Sequence, residues 1–474
     1  MKKIKLLILT LSVLSLYRCD DLSELNVDPN TAVAVAPSTL LTTSQFNYYS
    51  RVSGVNMNAD WGQLMVQYWA QNEYTEESRY NVNVTHYNVS WRVFYADVLK
   101  ELFSAKELVD GELISNDIKT NKKNILDVMI AQTFITLTDS YGDVPYTEAI
   151  SDIPLPVYDS QETIYKSVLQ TLKNASDTFV SSADSFKSGD VIYGGNVDSW
   201  KKFTNSLMLR YAMRLSDIDP ATAEQYAKAA ESNLISNNGE NALFTFDSNQ
   251  DRANPLFRNL SPLIDNRDDY CVSEYLVSTL ENMGDPRLEE YAKPASGGTI
   301  LGMPYGLNDN DATVLKPTTS RPNDQVREAT TPHLIISYSE VEFLLAEAYQ
   351  RGFLTGNAGD AYNRGIEASM NQWGITDATT ISDYIANNPY NASNWKMSLG
   401  TQKWVGLYMN GLEAWSEWRR LDFPQLTVPT AAVINSIPVK LPYPLSETQN
   451  NSNQLSKVTS TPGNLTNKVW WDVN

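Results

Sequence analysis

The fold class is decided by residues 337–352, which read SYSEVEFLLAEAYQRG. Apolar side chains recur there every three or four residues, as they do on the buried face of an amphipathic helix, and Gly352 stands where such a helix ends. A short loop follows, and residues 358–373 show the same period. The segment 333–373 therefore predicts two antiparallel helices joined by a tight turn.

A helix pair of about 34 residues, with small side chains where the helices approach each other, resembles a tetratricopeptide repeat. Such units bury their apolar faces by stacking on neighbours, so further pairs are expected. Earlier segments with the helical period predict two degenerate copies, 122–138 with 160–180 and 198–216 with 221–235. The same period predicts helices over 88–110 and over 400–422, which Pro424 would stop.

Acidic residues of these helices carry two further predictions. Asp159 and Glu162 have the spacing of a capping box, which predicts Asp159 as the cap of the 159–180 helix. Glu340, Glu342 and Glu347 lie on a helix whose apolar face is expected to pack inward, so we expect them on its solvated face.

Two long stretches, 239–331 and 424–474, are irregular and rich in Gly, Pro, Asn and Asp. Loops of that length are rarely without function. We expect them to form a subdomain that lies over the helical scaffold and frames a binding cavity.

Composition excludes several classes of protein. The formal net charge is −19, which disfavours binding to nucleic acid or to anionic lipid through a basic face. Two Cys and two His allow neither a disulfide framework nor a recognisable zinc site, and no cofactor is predicted. Residues 308–311, NDND, offer oxygen ligands for calcium, but a polar turn is the favoured interpretation because the full loop pattern is missing.

The N-terminus has the features of an export signal. Residues 1–18 combine three early Lys with an apolar run from Leu6 to Leu16, which is too short to span a bilayer. Cys19 follows, and a Cys at this place predicts lipidation after cleavage. Residues 19–40 would then be a lipid-anchored linker, and 41–474 the folded domain.

Catalytic patterns are weak in this sequence. A Ser-His-Asp triad needs a positioned His, and only His86 and His333 are present, without a nucleophile elbow around any Ser. A pair of glycosidase carboxylates stays an open alternative, because the chain has 56 acidic residues and the sequence alone does not place any two of them across a cleft.

Aromatic and amide residues interleave over 60–92, a mixture typical of carbohydrate sites, where ring faces stack on sugars and amides bond their hydroxyls. Residues 61–70 are predicted to be helical, so part of this set belongs to the core, while 71–79 should be exposed. The ligand-binding candidates are Trp69, Asn72, Tyr74, Arg79 and Tyr80, with Tyr270 and Tyr305 from the long middle stretch.

Several of these segments, in this order, resemble lipoproteins of the SusD/RagB type. They are DLSELNVDPN (21–30), TDSYGDVPYTEA (138–149), GDPRL (284–288) and EVEFLLAEA (340–348). The resemblance implies an all-α fold of tetratricopeptide-like helix pairs with a large loop-rich subdomain. It also implies a non-catalytic protein on the surface of the outer membrane that captures oligosaccharides and delivers them to a SusC-like TonB-dependent transporter.

Other functions stay open at this point. Helix pairs and exposed aromatics also fit a secreted glycoside hydrolase or lyase on a helical toroid. The ligand of a binding protein could be a peptide rather than a glycan, and a surface scaffold without a small ligand would show helices but no exposed aromatic cavity.

Overall fold

Helices form most of the chain, as the apolar periods predict. A computed structural model describes residues 35–474. Its α-helices, numbered in chain order, are α1 (Pro37–Val52), α2 (Asn88–Arg92), α3 (Lys100–Gly111), α4 (Asn116–Tyr141), α5 (Gln161–Thr178), α6 (Val197–Arg214), α7 (Pro220–Ala230), α8 (Pro255–Leu260), α9 (Glu274–Met283), α10 (Arg287–Tyr291), α11 (Asp309–Leu315), α12 (Tyr338–Arg351), α13 (Ala358–Gln372), α14 (Ala378–Asn387), α15 (Trp395–Gly406), α16 (Gly411–Leu421), α17 (Leu445–Asn450) and α18 (Ser452–Leu455). Two π-helical segments, Val55–Gln63 and Val93–Leu99, lie between α1 and α3.

The helix pair predicted from 333–373 is present as α12 and α13. The Ser337 hydroxyl caps α12 by accepting a hydrogen bond from the Glu340 backbone N–H at 3.1 Å. Gly352 ends the helix in the left-handed conformation, with φ of 74°. The two helices touch closely at Gly365, where an added Cβ would lie 2.6 Å from the Phe343 ring. A small residue is therefore required at this crossing.

The pairs stack on one another in succession, since α5 packs against α6 and α6 against α12. Helix α4 packs against α5 and α6 against α7, while α12 also packs against α6 and α15. Helix α1 packs against α3 at one end, and α15 against α16 at the other. This arrangement confirms the prediction of an all-α fold built from tetratricopeptide-like pairs. None of the helices between residues 35 and 474 is long and apolar enough to cross a membrane.

The prediction of one helix over 400–422 is wrong, because the chain breaks between α15 and α16. Met409 takes a positive φ of 73° in the break. Gly411 then begins α16 with its backbone against the π-helical segment, where an added Cβ would lie 2.6 Å from the carbonyl carbon of Gly62. The aromatic period continues across the break because the side chains on both sides enter the same core.

Two smaller predictions are also corrected. Ser160, not Asp159, caps α5, and its hydroxyl accepts a hydrogen bond from the Thr163 N–H at 3.2 Å. The Asp159 carboxylate instead accepts hydrogen bonds from the backbone N–H groups of Tyr146 and Thr147 and fixes the turn before the helix. Residues 61–70 are helical only in their first half, since Trp69 already lies in a strand.

The acids expected on a solvated face of α12 are buried. Glu340 is 3% exposed and Glu347 is not exposed at all. Helix α12 is covered by α6, α13 and α15, so it has no broad solvated face. Arginines from neighbouring helices supply the counter-charges: Arg210 pairs with Glu340, and Arg420 with Glu347.

Two small antiparallel sheets connect the irregular stretch 239–331 to the scaffold. Strand β1 (Trp69–Gln71) pairs with β3 (Tyr270–Val272), so that Gln71 lies opposite Tyr270. Strand β2 (Ala242–Phe244) pairs with β4 (His333–Ile336). The first sheet joins the aromatic region after the π-helical segment to the middle of the irregular stretch.

Candidate functional site

An open cleft of about 950 Å³ lies beside the β1–β3 sheet. One wall comes from the π-helical segment and the loop after β1, and the other from the chain between α8 and β3. Its lining combines one exposed aromatic ring with carboxylates and amides, and includes Asp60, Tyr74, Glu76, Glu77, Asn81, Asn83, His86, Asn259, Asp265, Arg267, Asp269 and Tyr270. We call it the Tyr74 cleft.

Tyr74 presents its ring to solvent at the edge of this cleft, and 59% of the residue is exposed. The Arg267 guanidinium lies over the ring, with 4.7 Å between its central carbon and the ring centre. Asp269 holds that guanidinium, because the Arg267 Nε donates a hydrogen bond to the carboxylate at 2.7 Å. The cation and the ring attract each other, which fixes the ring as a platform at the cleft edge.

The Tyr74 backbone has a positive φ of 52°, a conformation that is unfavourable for a side chain with a Cβ. The neighbouring loop supports it, since the Thr75 N–H donates a hydrogen bond to the Asp309 carboxylate at 2.9 Å. A large exposed aromatic in such a backbone conformation contributes little to the core, which points to a role at the surface.

Asp60 is a buried carboxyl on the inner wall of the same cleft. The Tyr270 hydroxyl donates a hydrogen bond to it. Burial first, and then the nearby charge of Glu77, raise the pKa of Asp60 to about 7 against the opposing effect of the Tyr270 hydrogen bond. Near neutral pH the Asp60 carboxyl is therefore divided between its protonated and ionised forms, so it can either donate or accept a hydrogen bond.

Some polar groups of the cleft are already engaged by the protein. The Gln71 amide donates a hydrogen bond to Glu77 at 3.1 Å and accepts one from the Ser78 N–H at 3.0 Å. The Asn83 side chain caps the short turn that follows it. These contacts hold the wall of the cleft in place.

Three of the residues selected from the sequence are buried and do not line the Tyr74 cleft, which corrects their selection as ligand contacts. Trp69 has no exposed surface, and its indole N–H donates to the Tyr408 hydroxyl at 3.0 Å. Asn72 is fully buried and donates to the Cys271 sulfur at 3.2 Å. Tyr80 is 1% exposed. Pairing of β1 with β3 turns this part of the chain inward, and we leave these three residues out of the site.

Three of the remaining four candidates line two separate clefts, and Arg79 lines neither. Tyr74 and Tyr270 both line the Tyr74 cleft, although Tyr270 is almost wholly buried and donates its hydroxyl hydrogen bond to Asp60. Arg79 is half-buried, and its guanidinium donates to the Thr75 carbonyl at 3.2 Å. Tyr305 lies in a different surface cleft, of about 620 Å³.

Sequence reasoning missed Asp60 and the run Asp265 to Asp269. The run reads DNRDD and was visible as a polar turn. Its closeness to Tyr74 depends on the pairing of Gln71 with Tyr270, two residues that are far apart in sequence. Within the described residues, no group of three or more His, Cys, Asp or Glu is arranged to hold a metal ion. In the 308–311 segment, Asn308 caps α11 instead.

The chain matches the model of a known protein family. Residues 29–444 match a SusD-like family described as starch-binding and associating with the outer membrane. The chain belongs to the SusD-like family. The resemblance seen in the sequence is thereby confirmed. Cys19 lies outside the described residues, so its lipidation stays a prediction.

Solved structures share this fold over 92% of the chain. A chitin-binding protein is 30% identical, with a TM-score of 0.81, and the alignment covers 92% of this chain and 100% of that one. A SusD homologue from Bacteroides uniformis is 24% identical, with a TM-score of 0.79 and coverage of 92% and 99%. A chitin-binding SusD homologue from Flavobacterium johnsoniae is 23% identical, with a TM-score of 0.78 and coverage of 92% and 99%. A search of curated proteins found no match.

Proposed function

We propose that this chain is a non-catalytic surface lipoprotein that captures oligosaccharides in the Tyr74 cleft and passes them to a SusC-like TonB-dependent transporter. The observation that carries the proposal is the exposed Tyr74 ring, held by Arg267 above a cleft lined with carboxylates and amides. Membership of the SusD-like family supports it, as do two structural relatives whose names describe them as chitin-binding.

The chemistry of the cleft suits a sugar. An aromatic face stacks on the C–H side of a pyranose ring, and carboxylates and amides accept or donate hydrogen bonds to its hydroxyls. An open cleft of about 950 Å³ also admits several units of a chain, which a capture protein needs.

The anchoring and the partner form a separate part of the proposal. Acylation of Cys19 would tether the folded domain to the outer membrane through a linker that ends near residue 40. Labelling cells with a fatty-acid analogue should mark the native chain and not a Cys19→Ser variant. Purification of the anchored protein from the membrane should bring a TonB-dependent barrel with it.

Binding is tested on the purified domain with starch-derived, chitin-derived and peptide ligands, by calorimetry and by affinity electrophoresis. The native chain should bind at least one glycan without releasing product. Tyr74→Ala should weaken binding by about tenfold or more, while Tyr74→Phe, which keeps the ring face, should retain it. Binding of peptides alone, or affinity for the longer glycans unchanged by Tyr74→Ala, would contradict the proposal.

A glycoside hydrolase is the second candidate, and Asp60 is the observation that favours it. A carboxyl with its pKa raised to about 7 in a cleft that also holds Glu77 has the character of a general acid. However, Asp60 is only 7% exposed and accepts a hydrogen bond from the Tyr270 hydroxyl, so little of its carboxyl faces the cleft. Release of reducing ends by the native chain and its loss in Asp60→Asn would establish the hydrolase instead.

A further inference from the structure

A second concavity, separate from the Tyr74 cleft, lies between the end of α13, the β2–β4 sheet and the break before α16. Its volume is about 440 Å³, within the range of roughly 300–1,000 Å³ that is usual for small-molecule sites. Helix α8 separates the two cavities: Leu256 faces this one and Asn259 the Tyr74 cleft. We call it the amide-rimmed pocket.

The walls of this pocket are unusual for so acidic a protein. They carry no Asp, Glu, Lys or Arg among the residues that the structure describes. His333 is the one titratable imidazole there, and burial lowers its pKa to about 4, so it is neutral at physiological pH. A charged ligand would find no counter-ion in the pocket and would lose its hydration on entry. The occupant must therefore be uncharged.

The inner surface is mostly apolar. Leu256 and Val326 are buried side chains on one side, and the Trp373 ring closes another. Trp373 is held edge-on against Tyr291, with 4.7 Å between the ring centres, so it forms a rigid wall. A ligand covered with hydroxyls alone would leave some of them unpaired against these walls.

Amides form the opening. Asn371 is exposed there, and half-buried Gln372 contacts Asn241 only at 3.5 Å. The exposed Gln325 amide is engaged, because it donates hydrogen bonds to the Glu290 carbonyl and carboxylate at 2.8 and 2.9 Å. Deeper amides are engaged by the protein, as in Asn254, which donates to the Thr331 carbonyl at 2.9 Å. The groups at the rim can both donate and accept hydrogen bonds, which matches another amide better than it matches an ion.

An N-acetyl substituent on a sugar has these properties: it is uncharged and combines a small apolar methyl group with an amide. We infer that the amide-rimmed pocket binds N-acetylated hexosamine units of one or two rings, as a site distinct from the Tyr74 cleft. The acetyl methyl would lie against the apolar walls and the acetamido N–H and C=O would meet the rim amides. This inference rests on the proposal that the protein captures glycans, and it names one class of sugar.

Three disaccharides with the same β-1,4 linkage test the chemistry by calorimetry on the whole folded domain. N,N′-diacetylchitobiose should bind. Cellobiose, which has hydroxyls in place of the acetamido groups, and the deacetylated diamine, which is cationic, should each bind at least about tenfold more weakly. Equal binding of all three would overturn the inference.

The position of the disaccharide site is tested by placing Trp at each of two exposed positions in separate variants. Asn371→Trp fills the rim of the pocket, and Asn387→Trp, at the exposed end of α14, is its matched control. Asn371→Trp should weaken diacetylchitobiose by about tenfold, while Asn387→Trp should leave its affinity unchanged. Equal affinity in the two variants would overturn the assignment.

Tyr74→Ala separates this inference from the proposed function. Diacetylchitobiose binding that survives Tyr74→Ala and is lost in Asn371→Trp supports the pocket even if no longer glycan binds in the cleft. Glycan capture that is lost in Tyr74→Ala, together with disaccharide binding that is indifferent to Asn371→Trp, supports the cleft and rejects the pocket.

Discussion

Gly62 and Gly411 lie backbone against backbone where α16 crosses the π-helical segment, and an added Cβ on either would come within 2.6 Å of the other residue. No flexible side chain stands at this contact to move aside. The crossing brings the π-helical segment, which carries Asp60, against the tetratricopeptide-like stack. The position of the cleft wall thus depends on two residues without side chains.

Gly411→Ala should therefore destabilise the fold. Overpacking of a core costs about 1–3 kcal/mol, and a contact with backbone atoms places this site at the upper end of that range. Chemical denaturation measures the free energy of unfolding. Gly111→Ala is the control, because nothing lies within 4 Å of its added methyl group, and it should leave stability unchanged or slightly raised.

The buried ion pair between Glu347 and Arg420 gives a second prediction. Both side chains are fully buried. Neighbouring cations, Arg420 first among them, hold the pKa of Glu347 below its usual value against the effect of burial. Glu347→Ala would remove one of the two carboxylates that pair with the Arg420 guanidinium and leave only Glu417. Loss of a buried partner costs up to about 3–5 kcal/mol.

Glu224→Ala is the matched control for that loss. Glu224 pairs with Lys228 one helical turn away on α7, where both side chains are exposed. Pairs of this kind contribute roughly 0.3–0.5 kcal/mol. A similar loss of stability in the two variants would contradict the importance of the buried pair.

The same pair shows where sequence reasoning succeeds and where it fails. The apolar period and Gly352 predict α12 and its partner, because helix formation depends on local spacing. The solvent exposure of Glu347 depends on which helices cover α12, and this covering is determined only by the complete stack of helices. The period assigns one face of α12 to the core, and α6, α13 and α15 together bury most of the rest.

Prediction of the ligand site failed in part for a similar physical reason. Exposed Tyr74 and buried Trp69 are five positions apart in one aromatic run, and residue type does not distinguish them. The pairing of β1 with β3 buries Trp69, and the positive φ of Tyr74 turns that residue outward. Neither feature can be read from local periodicity.

Asp60 gives a pH-dependent prediction. Its pKa is about 7 in the folded chain and near 3.8 when unfolded, so the folded state binds more protons between these values. The contribution of Asp60 to the free energy of unfolding therefore falls as the pH rises from about 4 to 7, and is constant above that. The Asp60→Asn variant has no carboxyl at this position and does not show this fall. Its free energy of unfolding, relative to that of the native chain, should therefore rise as the pH increases from about 4 to 7.

Thermal denaturation at several pH values measures this difference. Asp383→Asn, a substitution of an exposed carboxyl on α14, should give no such trend between pH 4 and 7. If the difference between Asp60→Asn and the native chain is also flat in this range, the carboxyl is ionised throughout, and the cleft has a fixed negative charge at its wall.

Two variants of Tyr74 distinguish an effect on glycan affinity from an effect on stability, because they should differ in stability and agree in affinity. Its left-handed backbone costs about 1–2 kcal/mol in a residue with a Cβ, and glycine does not pay this cost. Tyr74→Ala keeps the strain and loses the contact with Arg267, which is worth about 0.5–1 kcal/mol at an exposed site, so it should be less stable than the native chain. Tyr74→Gly loses the same contact but relieves the strain, so it should be at least as stable as Tyr74→Ala. Both variants lack the ring and should lose glycan affinity to the same extent in calorimetry. If affinity instead followed stability, with Tyr74→Gly binding better than Tyr74→Ala, the conformation of the loop and not the ring would be the basis of recognition.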